Sequence, residues 1–479
     1  MYYELFLRSF FDGNGDGIGD LKGATHKLKY IKETGFDGIW LMPIMSSTSY
    51  HGYSVTDFYT INPLYGKVKE LKEFLNKAHE LEMKVILDVP LNHVSVTSPW
   101  FLKALNSEKP YEDWFLWLEK EEWLKAKRPW DDQPVWSEKK GKIFYCLFGS
   151  SCPDLNYDSE SMNEEAKKIL KYWLEIGFDG FRFDAAKHIH DFSKEKGICE
   201  YQHDKNIQFW KNMCESCKEF KKDTIFVSEV WDDPDIVNKY SEIFGVGFNF
   251  PLSYVIKESI LKESPEHFVH NMKHVAFNAF DKERKYESGI FVTNHDMTRL
   301  VSELESKEKA LLAISILLSL PGIPFIYYGE ELGMKGIYNE LANEQQLEPF
   351  MWYEIGYGMG QTEWKAYSAN PPFSNESFEI QSINTDSYYN QFKKILSFRN
   401  EYEDLIRKSY IEKIKIENNL LFIYSCYKDE RFSTIHNLNK YKKHYRFSSD
   451  NIIKINGIAN INGNEVFVYP NSSILVREL

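Results

Sequence analysis

The chain has 479 residues, 43% of them apolar, with a formal charge of −13. That is enough apolar sequence for a large core and more than one domain. The acidic balance, with no basic block, excludes nucleic acid as a natural partner and leaves neutral polymers open. Aromatics reach 16%, and flat Trp and Tyr faces suit either a core or the C–H face of a sugar ring.

The start, Met-Tyr-Tyr-Glu-Leu-Phe, has no basic lead or apolar h-region. A cytoplasmic location is therefore expected. No membrane contact is expected either, because the longest apolar run, Ala310 to Leu320, is short and closed by Pro321-Gly322. Cys214 and Cys217 form a C-x-x-C in a helical stretch, with no second pair at zinc spacing, and read as structural.

Short β-rich runs alternate with helical patterns. The predicted strands are Glu4–Arg8, Gly38–Met42, Lys84–Asp88, Gly180–Asp184, Ile225–Glu229, Gly247–Phe250, Ile290–Thr293 and Phe325–Tyr328. Helical segments separate them near Lys27–Glu33, Glu70–Glu82, Asn163–Glu175, Lys205–Lys221, Pro251–Leu261 and Lys307–Leu320, and another follows at Tyr389–Asn400. This rhythm predicts an α/β fold, a parallel (β/α)8 TIM barrel, over residues 1–93 and 155–400. A doubly wound sheet is the competitor, but it would not ordinarily place Asp88, Asp184, Glu229 and Asp296 at separate strand ends. Residues 94–154, after the third strand, are too long for a loop and read as a small inserted domain. Residues 401–479 carry alternating runs with Asn-Gly and Asn-Leu-Asn between them, and read as an antiparallel β-sandwich.

Four blocks carry chemistry. In 177–188, GFDGFRFDAAKH, Arg182 and Asp184 share one face of a strand, and a cation beside a carboxylate keeps it ionised, as a nucleophile needs. The plain alternative is a buried ion pair. In 227–232, VSEVWD, Glu229 ends an apolar run beside Trp231 and suits a general acid. In 291–296, FVTNHD, His295 and Asp296 stand at another strand tip, and 87–93, LDVPLNH, adds Asp88 and His93. Retaining glycoside transfer needs two carboxylates about 5–5.5 Å apart, one attacking the anomeric carbon and one serving as acid and then base.

A separate run, DGNGDGIGD at 12–20, offers oxygens from Asp12, Asn14, Asp16 and Asp20, with the Ile18 carbonyl between them. It matches the first part of a Ca²⁺ loop, with Gly17 at the tight turn. It departs from an EF-hand where Gly23 stands in place of a Glu. A metal-free Asx/Gly turn is the alternative.

The blocks Asp88–His93, Gly180–His188, Glu229–Asp232 and Phe291–Asp296, with Cys152–Asn156 as a fifth, resemble those of the α-amylase family of glycoside hydrolases and transglycosidases. The resemblance implies Asp184 as nucleophile, Glu229 as acid/base and Asp296 as transition-state stabiliser. It implies that Arg182 orients Asp184, that His93, His295 and Tyr53 bind the sugar beside them, and that Asp88 supports the site. Lys187 and His188 look like an acceptor-side pair that oligo-1,6-glucosidases usually lack, with Trp231 beside it. Trp130 and Trp136 are either further acceptor contacts or core of the inserted domain. A second Ca²⁺ is left open at Asn92, Asp154 and the His188 carbonyl.

The implied substrate is an α-1,4-glucan or malto-oligosaccharide, with α-amylase hydrolysis as the first reading. The second is 4-α-glucanotransferase activity, because Tyr2–Asp20, Leu41–Tyr53, Phe148–Tyr157 and Glu331–Tyr338 look much like those enzymes. The third is α-glucosidase or maltogenic activity. A non-catalytic glycan-binding protein on this fold would lack the nucleophile or the acid, and both are present.

Overall fold

A computed structural model describes residues 1–275, 279–339, 344–447 and 451–478. Eight parallel strands close a barrel in sequential order: β1 (Tyr2–Leu5), β2 (Gly38–Leu41), β3 (Lys84–Val89), β4 (Gly180–Phe183), β5 (Ile225–Ser228), β6 (Val246–Phe248), β7 (Glu287–Ile290) and β8 (Ile323–Tyr327). Each is short and mostly buried on both faces, the signature of a parallel barrel. Two strands depart most from the sequence expectation. β1 ends at Leu5, because Leu7–Phe10 turns into a helix whose apolar side chains are also buried. β7 ends at Ile290, so Phe291–Asp296 lies in the loop beyond it.

The chain divides into two compact units. The first comprises 1–39, 232–238 and 248–479. Here Asp20 caps the helix Leu21–Thr34 by accepting from Gly23 N at 2.6 Å. The helix Lys307–Leu318 is apolar on nearly every face and is buried from Ala310 onward. This is why its sequence shows no amphipathic stripe. The chain from 410 forms a five-stranded and a three-stranded antiparallel sheet. Phe422, Ile435 and Ile474 of the larger sheet share one core with Val466 and Val468 of the smaller, which makes this a β-sandwich.

The second unit comprises 40–231 and 239–247. β3 and β4 pair in a register that sets Asp88 beside Arg182. At the other end of β4, Asp179 accepts from Val85 N at 2.9 Å and Lys84 Nζ at 3.1 Å. Between β3 and β4, the antiparallel pair Trp136–Lys139 and Lys142–Tyr145 packs around a core of Trp123, Val135, Trp136, Tyr145, Leu147 and Phe192.

Candidate active site

In the second unit, one guanidinium organises three carboxylates. Arg182, on β4, is fully buried. Its Nη1 donates to Asp184 Oδ1 at 2.7 Å and to Asp88 Oδ1 and Oδ2 at 2.8 and 2.9 Å. Its Nη2 lies 2.9 Å from Glu229 Oε2. Burial opposes the charge on Arg182, yet Asp88, then Glu229, Tyr53 and Asp184, together hold its pKa well above the usual arginine value.

Asp88 is fully buried and also accepts from Trp40 Nε1 and the Tyr53 hydroxyl, each at 3.0 Å. Asp184 and Glu229 follow the last residues of β4 and β5 and keep some side-chain exposure, 15% and 14%. Asp88 is thus an internal brace, and the other two carboxylates are open to solvent. Ala185, in the left-handed region at φ +47°, turns its N–H onto Glu229 Oε2 at 2.9 Å.

Around this cluster, Tyr53 follows Gly52, whose φ of +92° makes the turn. His93 is buried, with Nδ1 3.1 Å from Asn92 Oδ1. Burial works against its charge, but Cys152 and Asp184 raise its pKa. Lys187 Nζ donates to the Trp231 carbonyl at 2.5 Å and sits 4.6 Å from the Tyr201 ring centroid. His188 is buried and meets Asp191 Oδ2 at 3.2 Å. Trp136 belongs to the inserted segment's core, whereas Trp130 is 49% exposed, edge-on to His188 and tilted on Phe148. Trp231 is 48% exposed.

The first unit holds a second charged group. His295 is buried, with Nδ1 2.5 Å from Glu4 Oε1 and Nε2 2.9 Å from Asp296 Oδ2. Glu4, Trp40 and Asp191 were missed by the sequence reading. The first two sit in barrel strands, where a polar or indole group amid apolar residues was the available signal.

The 12–20 loop, also in the first unit, curls on itself. Asp12 accepts from the N–H groups of Asn14, Gly15 and Gly17 at 2.6–2.9 Å, and Asp16 Oδ1 accepts from Ile18 N at 2.9 Å. Gly15 and Gly17 allow the curl at φ +87° and +86°. Burial raises the Asp20 pKa, two backbone N–H groups oppose this, and the charges of Asp12 and Asp16 add to the rise. The donor type, carboxylate and amide oxygens, suits a hard cation. Asp20 Oδ1, however, is engaged by Gly23 N.

In the second unit, Asp154 is buried and raised, first by burial and then by Asp191. Its Oδ2 has no hydrogen-bond partner among the described residues. Asn92 Nδ2 donates to the His188 carbonyl at 2.6 Å. Among the described residues no cluster of three or more His, Cys, Asp or Glu is close enough to hold a metal. No helix among them is long and apolar enough to cross a membrane.

A barrel with acids at its strand ends is an enzyme architecture shared by many chemistries. The model of the α-amylase catalytic domain matches residues 4–408, and the chain belongs to the α-amylase family of glycoside hydrolases and transglycosidases. It is 38% identical over 445 residues to a 4-alpha-glucanotransferase of Thermotoga maritima, covering 91% of this chain and 95% of that protein. It is 36% identical over 490 residues to Alpha-amylase 3 of Dictyoglomus thermophilum, covering 100% and 93%. The solved α-amylase from H. orenii superposes with a TM-score of 0.89 at 36% identity, covering 100% of this chain and 99% of that one.

Proposed function

We propose that the protein is a retaining enzyme that transfers malto-oligosaccharide units between α-1,4-glucans by double displacement. Asp184 attacks the anomeric carbon while Glu229, protonated, gives its proton to the departing glycosidic oxygen. The C–O bond breaks and a glycosyl ester forms on Asp184. An incoming sugar hydroxyl then attacks the same carbon, gives its proton to Glu229 and releases Asp184. Asp296 is read as the charge that steadies the oxocarbenium-like transition state. Tyr53, His93 and His295 are read as holding the reacting sugar, and Lys187, His188 and Trp231 the acceptor.

The observation that carries the chemistry is Arg182 set between Asp184 and Glu229. In the resting enzyme its charge serves the nucleophile. Once Asp184 is esterified, that charge still faces Glu229, whose ionised form is the base the second step requires.

Transfer is placed ahead of hydrolysis, the first reading from sequence, for two reasons. The 38% identity to a 4-alpha-glucanotransferase extends over nearly the whole of both chains. Trp130 and Trp231 also offer exposed aromatic faces, and a second sugar needs such contacts to offset its lost freedom. Hydrolysis is the second reading, favoured by the full-length likeness to α-amylases. Incubation with maltotriose separates them. Transfer gives a constant reducing-end count while products spread both above and below the substrate. A steadily rising count with only short products makes the enzyme an amylase.

We further infer one Ca²⁺ held by Asp12, Asn14, Asp16, Asp20 and the Ile18 carbonyl, stabilising the turn after β1. The run of oxygen-bearing side chains at alternate positions of a Gly-rich turn supports this.

A further inference from the structure

Glu4 is 1% exposed on β1 between Tyr3 and Leu5, both fully buried. A carboxylate in such a place is costly unless it is paired. Its Oε1 lies 2.5 Å from His295 Nδ1 and 3.4 Å from His295 N. The other ring nitrogen, Nε2, lies 2.9 Å from Asp296 Oδ2. A neutral imidazole has one N–H and one lone pair, and an ionised carboxylate only accepts. Two ionised carboxylates, one at each ring nitrogen, both receive a hydrogen bond only from an imidazolium.

We propose that Glu4 is a positioning residue for the transfer reaction: its buried carboxylate holds His295 as an imidazolium, and the imidazolium pins the Asp296 carboxylate in one orientation. This rests on the reading of Asp296 as the transition-state stabiliser. Such a hold matters for Asp296 because its side chain is 42% exposed, and an exposed carboxylate gains a fixed direction from a charged partner.

The other groups of this unit agree. Burial works against charge on His295, but Asp296 and then Glu4 raise its pKa well above the ordinary value. Tyr327 of β8 stands opposite Glu4 in the barrel register, with the Arg299 guanidinium 4.5 Å from its ring centroid. Burial, first, raises the Tyr327 pKa, and the Glu4 charge adds to it, so Tyr327 stays neutral. Gln346 Nε2 donates to the His295 carbonyl at 3.4 Å and fixes the loop rather than the charge.

The test has two readouts. In the substrate-free wild type, labelled with ¹⁵N-histidine and assigned against His295→Gln, the His295 ring is expected to keep both N–H protons well above pH 6.5. In Glu4→Gln the acceptor shape remains and the charge is gone. The His295 ring titration is then expected to move down by about one to three pH units, with kcat falling as the ring loses its charge. KM is expected to change little. A His295 ring titrating near 6.5 in the wild type overturns the proposal, and so does a Glu4→Gln profile that overlays the wild type. The ring titration stands even if Glu4→Gln fails to fold. Full turnover by Asp296→Asn would defeat the reading of Asp296 while leaving the ring result intact, so the two failures are distinguishable.

Discussion

Arg182 donates through a single nitrogen, Nη1, to both Asp184 at 2.7 Å and Asp88 at 2.8 Å. The brace and the candidate nucleophile therefore share one hydrogen-bonding group. The second nitrogen, Nη2, stands at Glu229. A planar fork with several N–H groups performs this, and an ammonium on a flexible stem does not.

Arg182→Lys is accordingly expected to cost turnover heavily, because one ammonium cannot hold Asp88, Asp184 and Glu229 in the same geometry. Asp184→Ala is expected to lose at least about 10⁴-fold in kcat with its circular dichroism unchanged. Azide should restore part of that activity in Asp184→Ala by supplying an external nucleophile, and should do nothing for Arg182→Lys. Near-wild-type rates in Asp184→Ala would end the assignment.

Much of this was legible in sequence because Asp184 and Glu229 each follow a short apolar run, and a parallel barrel puts such positions at one end. The ends of β1 and β7 were not. Glu4–Arg8 is apolar enough to read as strand, yet the backbone turns helical from Leu7 with Leu7 and Phe10 buried. Phe291–Thr293 looks β-rich but, among the described residues, lies beyond the paired end of the strand at Ile290. Trp130 and Trp136 have similar sequence surroundings, and only packing separates the exposed ring from the core one. Glu4 could not be given a role because its partner is 291 positions away.

The exposed indoles give a second prediction. Trp130 has the Arg128 guanidinium 5.3 Å from its ring centroid and remains half exposed. If Trp130 and Trp231 grip an acceptor sugar, replacing either with Ala weakens that grip by about 0.5–1.5 kcal/mol, a few-fold to tenfold in affinity. Water needs no such grip. The ratio of transfer to hydrolysis on maltotriose should therefore fall by that factor in each variant, while hydrolysis itself is little changed. An unaltered ratio in both variants would remove them from the acceptor side.

Calcium supplies the third. An ion bound only by the folded loop stabilises the fold through linkage, by about 2.7 kcal/mol at a hundred times its dissociation constant. Chelation should lower Tm more than it lowers the initial rate at low temperature. Asp12→Asn should lose one calcium equivalent in metal analysis and respond less to chelator. Protein purified without chelator that contains no calcium would refute the site.

The last prediction is a pH dependence in the sandwich. His436 is fully buried, with Nδ1 2.7 Å from Ser473 Oγ and Nε2 3.2 Å from Ser319 Oγ. Burial pushes its pKa down to about 3. A hydroxyl offers little to offset the loss of hydration that a charged ring would suffer there. In the unfolded chain the same ring titrates near 6.5. Below that pH the unfolded state binds the extra proton and the folded state does not, so stability falls as pH falls. The slope reaches at most about 1.4 kcal/mol per pH unit and persists until the folded ring titrates. Above 6.5 both states are neutral at this position and it contributes no pH dependence. His436→Gln removes the titration while keeping a polar side chain of similar size. Unfolding by urea at pH 7 and pH 5 should show a smaller loss of stability for the variant than for the wild type. Equal losses would mean that His436 takes up its proton as readily folded as unfolded.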